Sequence, residues 1–464
     1  MSPLPLVDPD PKATPLTLVT DKAFGAWRDT QGDAVKAWLS TNDFSGKAGE
    51  VCLTPLEDGA VGQVVVGIGD GADKWVAGRL ARSLPEGTYC LEQITGIEDE
   101  KAQVSTWLAL SWCLGAYTFD RYKSESPTNP SKLVWPEDID RAYVEGAAQA
   151  TTLTRDLINT PAEDMGPAAL AAAAEELADT HGAAINIVLG DDLLSENFPA
   201  IHAVGRAADV APRLIDLTWG KADAPKVTLV GKGVCFDSGG LNIKPTNGMR
   251  WMKKDMGGGA TVLGLADWIM RAKLSVRLRV LVPAVENAIS GNAFRPGDVV
   301  PTRKGPTIEV GNTDAEGRVV LADALALACE ESPSLLIDCA TLTGAARVAL
   351  GPDLPALFTP DDSLAKELMS AGMANNDPLW RLPLWAGYRR LIESKIADVS
   401  NSGESGFAGA ITAALFLKTF VSEDTPWVHL DLFGWNPDDK PGRPMGGEAY
   451  AQRAIFEVIR NRFA

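Results

Sequence analysis

Helical and strand patterns alternate regularly through the last two thirds of this chain. The segments are helical at 168–180, 260–272, 318–331, 363–371, 409–421 and 448–462, and strand-like at 185–189, 227–230, 276–282, 335–339 and 427–432. Such alternation predicts an α/β fold with a mixed, mostly parallel sheet, because parallel strands need crossover connections, which helices supply. Ligands of such folds bind at the carboxyl ends of the strands. Functional residues are therefore expected there.

The chain has 464 residues, more than one hydrophobic core normally serves. An apolar run at 63–67 and helical patterns at 74–84 and 101–114 predict a small α/β domain at the start of the chain. Residues 120–140 lack periodicity and collect Lys, Ser, Pro and Asn, which is typical of a linker. We therefore predict three parts: an N-terminal α/β domain over 1–140, a connecting helix over 141–160 and a larger α/β domain over 161–464.

The net charge of −18 argues against nucleic acids and anionic membranes as partners, since both require a basic face. No segment offers roughly twenty uninterrupted apolar residues, and the first 21 residues contain five prolines and no apolar signal-peptide core. We therefore expect a cytoplasmic protein without a membrane partner. The six cysteines show no C-x-x-C spacing, so neither disulfides nor a cysteine zinc site is expected.

A first group of charged residues follows the apolar segment 227–230. It contains Lys232, Asp237, Lys244 and Asp255, with glycines that let the backbone fold closely around a ligand. Lys232 stands between two glycines and could belong to a generic anion-binding turn, although the phosphate-loop pattern is absent. Asp255 could simply cap the helix that follows it.

A second charged group runs from residue 312 to 318. Thr313 and Glu316 have the spacing of a capping box ahead of a helix, but that interpretation leaves Asp314 and Arg318 without a role. Together the two groups supply four carboxylates, which suit hard cations. A pair of metal ions needs bridging carboxylates, for which Asp237 and Glu316 are natural candidates.

Other hydrolase chemistries do not fit the sequence. Ser238 and Ser405 each lack one glycine of the G-x-S-x-G elbow. The three histidines are scattered without H-E-x-x-H spacing, and we predict that His429 is a hydrogen-bonded core residue. A serine hydrolase and a zincin are therefore disfavoured.

The two charged groups and their surroundings resemble the leucyl aminopeptidase family, the cytosolic dinuclear-metal exopeptidases. The matching segments are NTPAEDMGP at 159–167, VGKGVCFDSGGLNIKP at 230–245, MKKDMGGGA at 252–260, VGNTDAEGRVVLADAL at 310–325, DCATLTGA at 338–345 and GAITAALFL at 409–417. The resemblance covers 140–464. It implies that 161–464 is the catalytic domain of a metallo-aminopeptidase, which removes N-terminal amino acids from peptides with metal-activated water.

The resemblance implies a role for each charged residue. Lys232, Asp237, Asp255 and Glu316 would bind one metal ion, and Asp237, Asp314 and Glu316 would bind the other. A lysine ligand must be neutral, which requires the cation and burial to lower its pKa. Zn²⁺, Mn²⁺ and Mg²⁺ all accept carboxylate oxygens, so the ligand types leave the metal open.

The catalytic pair that the resemblance implies is Lys244 and Arg318. Lys244 would polarise the scissile carbonyl and stabilise the oxyanion, and Arg318 would hold a bicarbonate that carries the proton. The resemblance also implies a homohexamer whose active sites face an internal cavity. Two alternatives are a non-catalytic DNA-binding role and a scaffold role on the same fold. The net charge opposes the first, and the complete ligand and catalytic set opposes the second.

By the same resemblance, the pocket for the substrate's first side chain contains Met252, Thr341 and Gly344. Phe433 stands where the family usually has a small alanine before a glycine. If Phe433 points into the pocket, its ring limits the size of the N-terminal side chain. If the strand turns Phe433 into the core, it contributes to stability alone. The preferred N-terminal residue stays open.

Overall fold

The computed structural model describes residues 3–125, 129–403 and 405–463. The chain forms two compact units. The first unit comprises Met1–Thr152 together with Asp438–Met445, and the second comprises Leu153–Pro437 and Gly446–Ala464. None of the described helices is long and apolar enough to cross a lipid bilayer.

The first unit contains a six-stranded sheet. Its strands are β1 Leu6–Val7, β2 Thr14–Val19, β3 Val51–Pro55, β4 Val61–Gly67, β5 Thr88–Thr95 and β6 Lys132–Val134, and its helices are α1 Asp21–Asp29, α2 Asp33–Thr41, α3 Leu80–Ser83 and α4 Lys101–Ala116. The strand order is β1-β6-β5-β2-β4-β3, and β3 is antiparallel to β4 while the other pairs are parallel. Strand β6 lies inside the segment predicted to be a linker. Residues 126–128 of that segment lie outside the described residues.

Helix α5, Arg141–Asn159, crosses the boundary between the units. The remaining helices are α6 Pro167–His181, α7 Asp192–Ser195, α8 Pro199–Gly205, α9 Thr246–Met249, α10 Gly257–Arg271, α11 Glu316–Glu330, α12 Gly344–Leu350, α13 Asp362–Ala374, α14 Gly409–Phe420 and α15 Gln452–Phe463. Short 3-10 helices occur at Val76–Arg79, Met252–Met256, Thr313–Ala315 and Ala386–Ile392.

A nine-stranded sheet organises the second unit. The strands of this unit are β7 Ala184–Leu189, β8 Arg213–Trp219, β9 Lys226–Gly231, β10 Gly233–Asp237, β11 Arg277–Asn287, β12 Val299–Val300, β13 Ile308–Glu309, β14 Leu335–Ala340, β15 Ala356–Phe358, β16 Trp380–Arg381, β17 Val399–Ser400, β18 Trp427–Asp431, β19 Trp435–Asn436 and β20 Gly446–Gly447. The large sheet follows the order β16-β15-β18-β14-β9-β11-β8-β7, and β10 pairs with β11. A smaller sheet joins β12, β13 and β17, and β19 pairs with β20.

The four central strands β18, β14, β9 and β11 are mutually parallel, whereas β15, β8 and β7 run antiparallel to their inner neighbours. The predicted fold class is therefore confirmed: a small N-terminal α/β domain and a larger one with a mixed, mostly parallel sheet. The finer boundaries at 1–140, 141–160 and 161–464 stay a prediction.

Helix α10 packs against the central strands through glycines. A Cβ atom on Gly258 would lie 2.0 Å from the carbonyl oxygen of Cys339 in β14, so a larger residue would push the helix away. A Cβ atom on Gly259 would lie 3.0 Å from Val282 of β11. This close approach holds Met252–Met256, which immediately precedes α10, beside the carboxyl ends of β9 and β14.

Candidate active site

Lys232 lies between β9 and β10, and its side chain is buried. Its Nζ atom lies 2.7 Å from Oδ2 of Asp255 and 2.8 Å from Oε1 of Glu316, and it donates a hydrogen bond to the carbonyl oxygen of Thr341 at 3.1 Å. The side chain passes over Gly317, where a Cβ atom would lie 2.4 Å from Cε of Lys232. Burial opposes the charge of Lys232, but the surrounding carboxylates outweigh it and raise the pKa of the ammonium.

Asp237 is the last residue of β10 and is buried. Its Oδ1 atom accepts hydrogen bonds from the backbone N–H of Gly239 and from Nδ2 of Asn287, each at 2.8 Å. Its Oδ2 atom lies 2.7 Å from Nζ of Lys244. Burial and the charge of Asp255 raise the pKa of Asp237 to about 6.

Lys244 also forms an ion pair with Asp314, so its ammonium joins a residue from each charged group of the sequence. Its side chain is 14% exposed and that of Asp314 is 32% exposed, so the pair lies at the solvent edge of the cluster. Burial disfavours the charged lysine, but Asp237, Asp255 and Glu316 raise the pKa of Lys244 above its ordinary value.

The second charged group does not form the capping box that its spacing suggests. The side chain of Asn312 accepts from the backbone N–H of Asp314 at 2.8 Å, while the N–H of Thr313 donates to Oδ1 of Asn242. The Thr313 hydroxyl donates to the carbonyl oxygen of Gly239 at 2.6 Å. Thr313 therefore ties the two charged loops together, which leaves the side chain of Glu316 free to face Lys232.

The second charged group does not follow a strand of the large sheet. The strand before it, β13, belongs to the small three-stranded sheet with β12 and β17, and not to the large sheet. The short link from β13 to α11 nevertheless places Glu316, the first residue of that helix, against the end of β9 through its contact with Lys232.

Three carboxylates converge in this region. One oxygen from each of Asp237, Asp255 and Glu316 lies within 4.8 Å of the others, and all three side chains are buried. Oε2 of Glu316 has no hydrogen-bond donor among the described residues. Burial and the charge of Asp237 raise the pKa of Glu316 to about 7. Buried like charges with an unpaired oxygen need a compensating cation, so the cluster fits a divalent metal ion.

Arg318 lies two residues after Glu316 on α11 and is buried. Its Nη1 atom donates to the carbonyl oxygen of Asn401 at 2.7 Å, while its Nε atom has no acceptor within the part of the chain that the structure describes. Burial lowers the pKa of Arg318 to about 10, which leaves the group charged at neutral pH. A charged guanidinium with an unused donor fits a small oxyanion such as bicarbonate.

The four predicted pocket residues have different surroundings. Met252 begins the 3-10 helix that carries Asp255, and Thr341 donates its hydroxyl to Oδ1 of Asp255 at 2.9 Å. Gly344 begins α12 and is exposed. Phe433 is partly buried, so its ring is not enclosed in the core. Thr341 thus contacts a predicted metal ligand directly, and Met252 lies on the same short helix as that ligand.

Two cations contact the ring of Phe433. Nζ of Lys254 lies 4.7 Å from the ring centroid, and Cζ of Arg347 lies 5.1 Å from it. Lys254 is buried, and burial lowers its pKa to about 8. The sequence analysis gave neither Lys254 nor Arg347 a role, because a pair of adjacent lysines and an isolated arginine match no functional motif.

Asn287 is a further residue that the sequence interpretation missed. Its Nδ2 atom donates to Oδ1 of Asp237 at 2.8 Å and to the carbonyl oxygen of Thr313 at 3.0 Å, so it orients both charged loops. The available signal was its position at the carboxyl end of the long apolar strand β11. His429 is buried, and its Nδ1 atom hydrogen-bonds Oδ1 of Asp338 at 2.6 Å, away from the carboxylate cluster.

Comparisons with known proteins agree along almost the whole chain. Residues 152–456 match the model of the cytosol aminopeptidase family, catalytic domain, and residues 14–136 match that of the M17 aminopeptidase N-terminal domain. A protein of Roseiflexus castenholzii named probable cytosol aminopeptidase is 38% identical, over 96% of this chain and 97% of its own.

Two solved structures are similar as well. The crystal structure of cytosol aminopeptidase from Coxiella burnetii is 49% identical with a TM-score of 0.95, and the match covers 99% of this chain and 100% of that one. The bottromycin maturation enzyme BotP in complex with Mn is 35% identical with a TM-score of 0.87, over 98% of this chain and 100% of that one.

Proposed function

This chain belongs to the cytosol aminopeptidase family, and we propose that it removes N-terminal residues from peptides with water activated by two divalent metal ions. As a member of that family it is an aminopeptidase and a hydrolase. The convergence of three buried carboxylates, two of which pair with Lys232, is the observation that carries the proposed mechanism.

Five residues would hold the metal ions. Lys232, Asp237, Asp255 and Glu316 would hold one, and Asp237, Asp314 and Glu316 would hold the other. When bound, the ions lower the pKa of a coordinated water and so supply hydroxide at neutral pH. The oxygen ligands suit Zn²⁺, Mn²⁺ and Mg²⁺, and the similarity to BotP with Mn supports a divalent ion.

Lys244 and Arg318 would act on the substrate and on the proton. The Lys244 ammonium sits at the solvent edge of the cluster, where it can donate a hydrogen bond to the scissile carbonyl oxygen and stabilise the negative charge that develops there. Arg318 would hold a bicarbonate with its unused Nε donor while Asn401 fixes the guanidinium. The bound bicarbonate would supply a proton acceptor beside the site.

We place the substrate's first side chain against Met252, Thr341, Gly344 and Phe433. The free α-amine would point to the carboxylate cluster, which restricts cleavage to the first residue. We propose in addition a homohexamer in the cytoplasm, by resemblance to the family. Sedimentation analysis of the purified protein tests the oligomer, and a mass near one chain would contradict it.

Hydrolysis of leucinamide and of a Leu-initiated peptide by the purified chain tests the function. We expect release of free leucine, loss of activity in a chelator, and recovery with Mn²⁺ or Zn²⁺. The matched control is the same peptide with an acetylated N-terminus, which should resist cleavage because it lacks the free amine. Cleavage of the acetylated peptide, or full activity in the chelator, would contradict the proposal.

A further inference from the structure

We propose that Lys254 and Arg347 bind a carboxylate on the substrate's first side chain, so that the enzyme prefers peptides that begin with glutamate or aspartate. This inference rests on the proposed function, since it concerns the pocket of the same site. It adds a substrate class, acidic N-terminal residues, and two residues that select it.

The surroundings of Lys254 differ from those of the neighbouring lysines. Lys232 and Lys244 each pair with two carboxylates, and Nζ of Lys253 donates to the carbonyl oxygen of Asn159 at 2.6 Å. Lys254 is only 5% exposed, yet its Nζ has no ion pair or hydrogen bond among the described residues. The ring of Phe433 lies 4.7 Å from this Nζ atom. A buried cation without an anion is costly, which points to a partner that arrives with the substrate.

Arg347 contributes a second positive charge. Its Cζ atom lies 5.1 Å from the centroid of the Phe433 ring, and its Nη2 atom lies 4.0 Å from where a Cβ atom on Gly344 would stand. Within the described part of the chain no carboxylate pairs with it. In a protein with a net charge of −18, two cations that contact one ring and form no ion pair among the described residues are not a consequence of composition.

These cations adjoin the predicted pocket. Lys254 immediately precedes the proposed metal ligand Asp255. Gly434 packs against both Thr341 and Lys254: a Cβ atom there would lie 3.0 Å from Cγ2 of Thr341 and 3.6 Å from the carbonyl oxygen of Lys254. Phe433, next to Gly434, thus brings Lys254 and Arg347 to the side of Thr341 and Gly344.

A substrate carboxylate beside Lys254 and Arg347 would replace their weak contacts with the Phe433 ring by stronger ion pairs. The face of an aromatic ring attracts a cation less than a carboxylate does, and charge-assisted hydrogen bonds are the strong ones in proteins. Glutamine has the shape of glutamate but no charge, so it would leave the buried ammonium of Lys254 without compensation. Sites built for a polar group discriminate strongly against an analogue that lacks it.

The test compares kcat/KM for the 7-amido-4-methylcoumarin derivatives of Glu and Gln with the full-length, metal-loaded enzyme. We expect Glu to exceed Gln by about tenfold or more. Lys254→Met keeps the length and apolar stem of the side chain and should bring the ratio close to one, and Arg347→Met should lower it as well. Arg250→Met removes an exposed cation four residues before Lys254 and should leave the ratio unchanged.

The outcomes separate the two proposals. If the wild-type enzyme cleaves the Leu or Gln derivative while its Glu to Gln ratio is one or below, the inference is overturned and the proposed function stands. A ratio above one that both Met variants retain also overturns it. Absence of cleavage of every derivative overturns both proposals. Should Lys254→Met unfold, as circular dichroism would reveal, Arg347→Met decides alone, because that side chain is exposed.

Discussion

Oδ2 of Asp237 lies 2.7 Å from Nζ of Lys244, so a proposed metal ligand and the proposed oxyanion donor are ion-pair partners. Lys244 also pairs with Asp314, a second proposed ligand. The ammonium thus neutralises carboxylates that a divalent cation would also neutralise. Metal binding would weaken the hold of these carboxylates on Lys244 and leave its protons available to a carbonyl oxygen.

Lys244→Met tests this role. Removal of an oxyanion donor lowers kcat by about 10² to 10³, while KM changes less, because the interaction forms mainly in the transition state. Steady-state kinetics on leucinamide measure both constants, and Arg250→Met serves as the control for loss of a positive charge. A normal kcat with a raised KM would make Lys244 a substrate anchor.

Asp255→Ala should remove a ligand from one metal ion. We expect metal content below two per chain by mass spectrometry and no measurable turnover, with the fold retained by circular dichroism. Asp362→Ala is the control, since Asp362 is 89% exposed and pairs with Arg381 on the surface. Two metal ions and normal turnover in Asp255→Ala would show that the ligand assignment is wrong.

Metal binding should release protons. Neighbouring carboxylates raise the pKa of Lys232, so it is protonated without metal and must lose a proton to become a ligand. Glu316 has a pKa of about 7 and Asp237 has a pKa of about 6, so each of these carboxylates becomes protonated as the pH falls through its own value. Metal affinity should therefore fall with falling pH, about tenfold per unit for each proton released. Calorimetric titration with Mn²⁺ in buffers of different ionisation enthalpy counts these protons, and heats that do not depend on the buffer would contradict the prediction.

Arg318→Ala should lower kcat and abolish any stimulation by added bicarbonate. The reason is that Nε of Arg318 is a buried donor without an acceptor among the described residues. Arg318→Lys keeps the charge but lacks the forked donors, so it should restore only part of the response. Rates are measured with and without bicarbonate in buffer freed of carbon dioxide. An equal response in wild type and Arg318→Ala would exclude this binding site.

The sequence predicted the central elements of the fold better than its edges. Helix α11 and strand β14 match the predicted segments to within two residues at each end, because their apolar runs are long. Strand β8, Arg213–Trp219, was missed, since its antiparallel pairing with β11 depends on contacts remote in sequence. Helix α10 starts three residues earlier than predicted, because its glycines have low helix propensity but permit close packing on β14.

The site was predictable in its charged residues and less so in their supports. Lys232, Asp237, Asp255 and Glu316 stand out as charges beside apolar segments, and the structure brings them together. Asn287 offered only its position at the end of β11, and Lys254 carries no local signal, because their importance arises from which loops meet around them. Only tertiary packing reveals such residues.

Phe433→Ala tests the size of the pocket. The ring is partly buried and carries Lys254 and Arg347 on its surface, so its removal should open space for a large N-terminal side chain. A single methylene in such a pocket changes discrimination by about 1 to 3 kcal/mol, and a phenyl ring exceeds that volume several times. We therefore expect kcat/KM for Phe and Trp derivatives to rise at least tenfold relative to Ala derivatives. The matched variant Phe433→Leu keeps most of the apolar volume and should change the ratio less. A lower melting temperature of Phe433→Ala with an unchanged ratio between substrates would instead assign the ring to packing, and the pocket assignment of Phe433 would have to be abandoned.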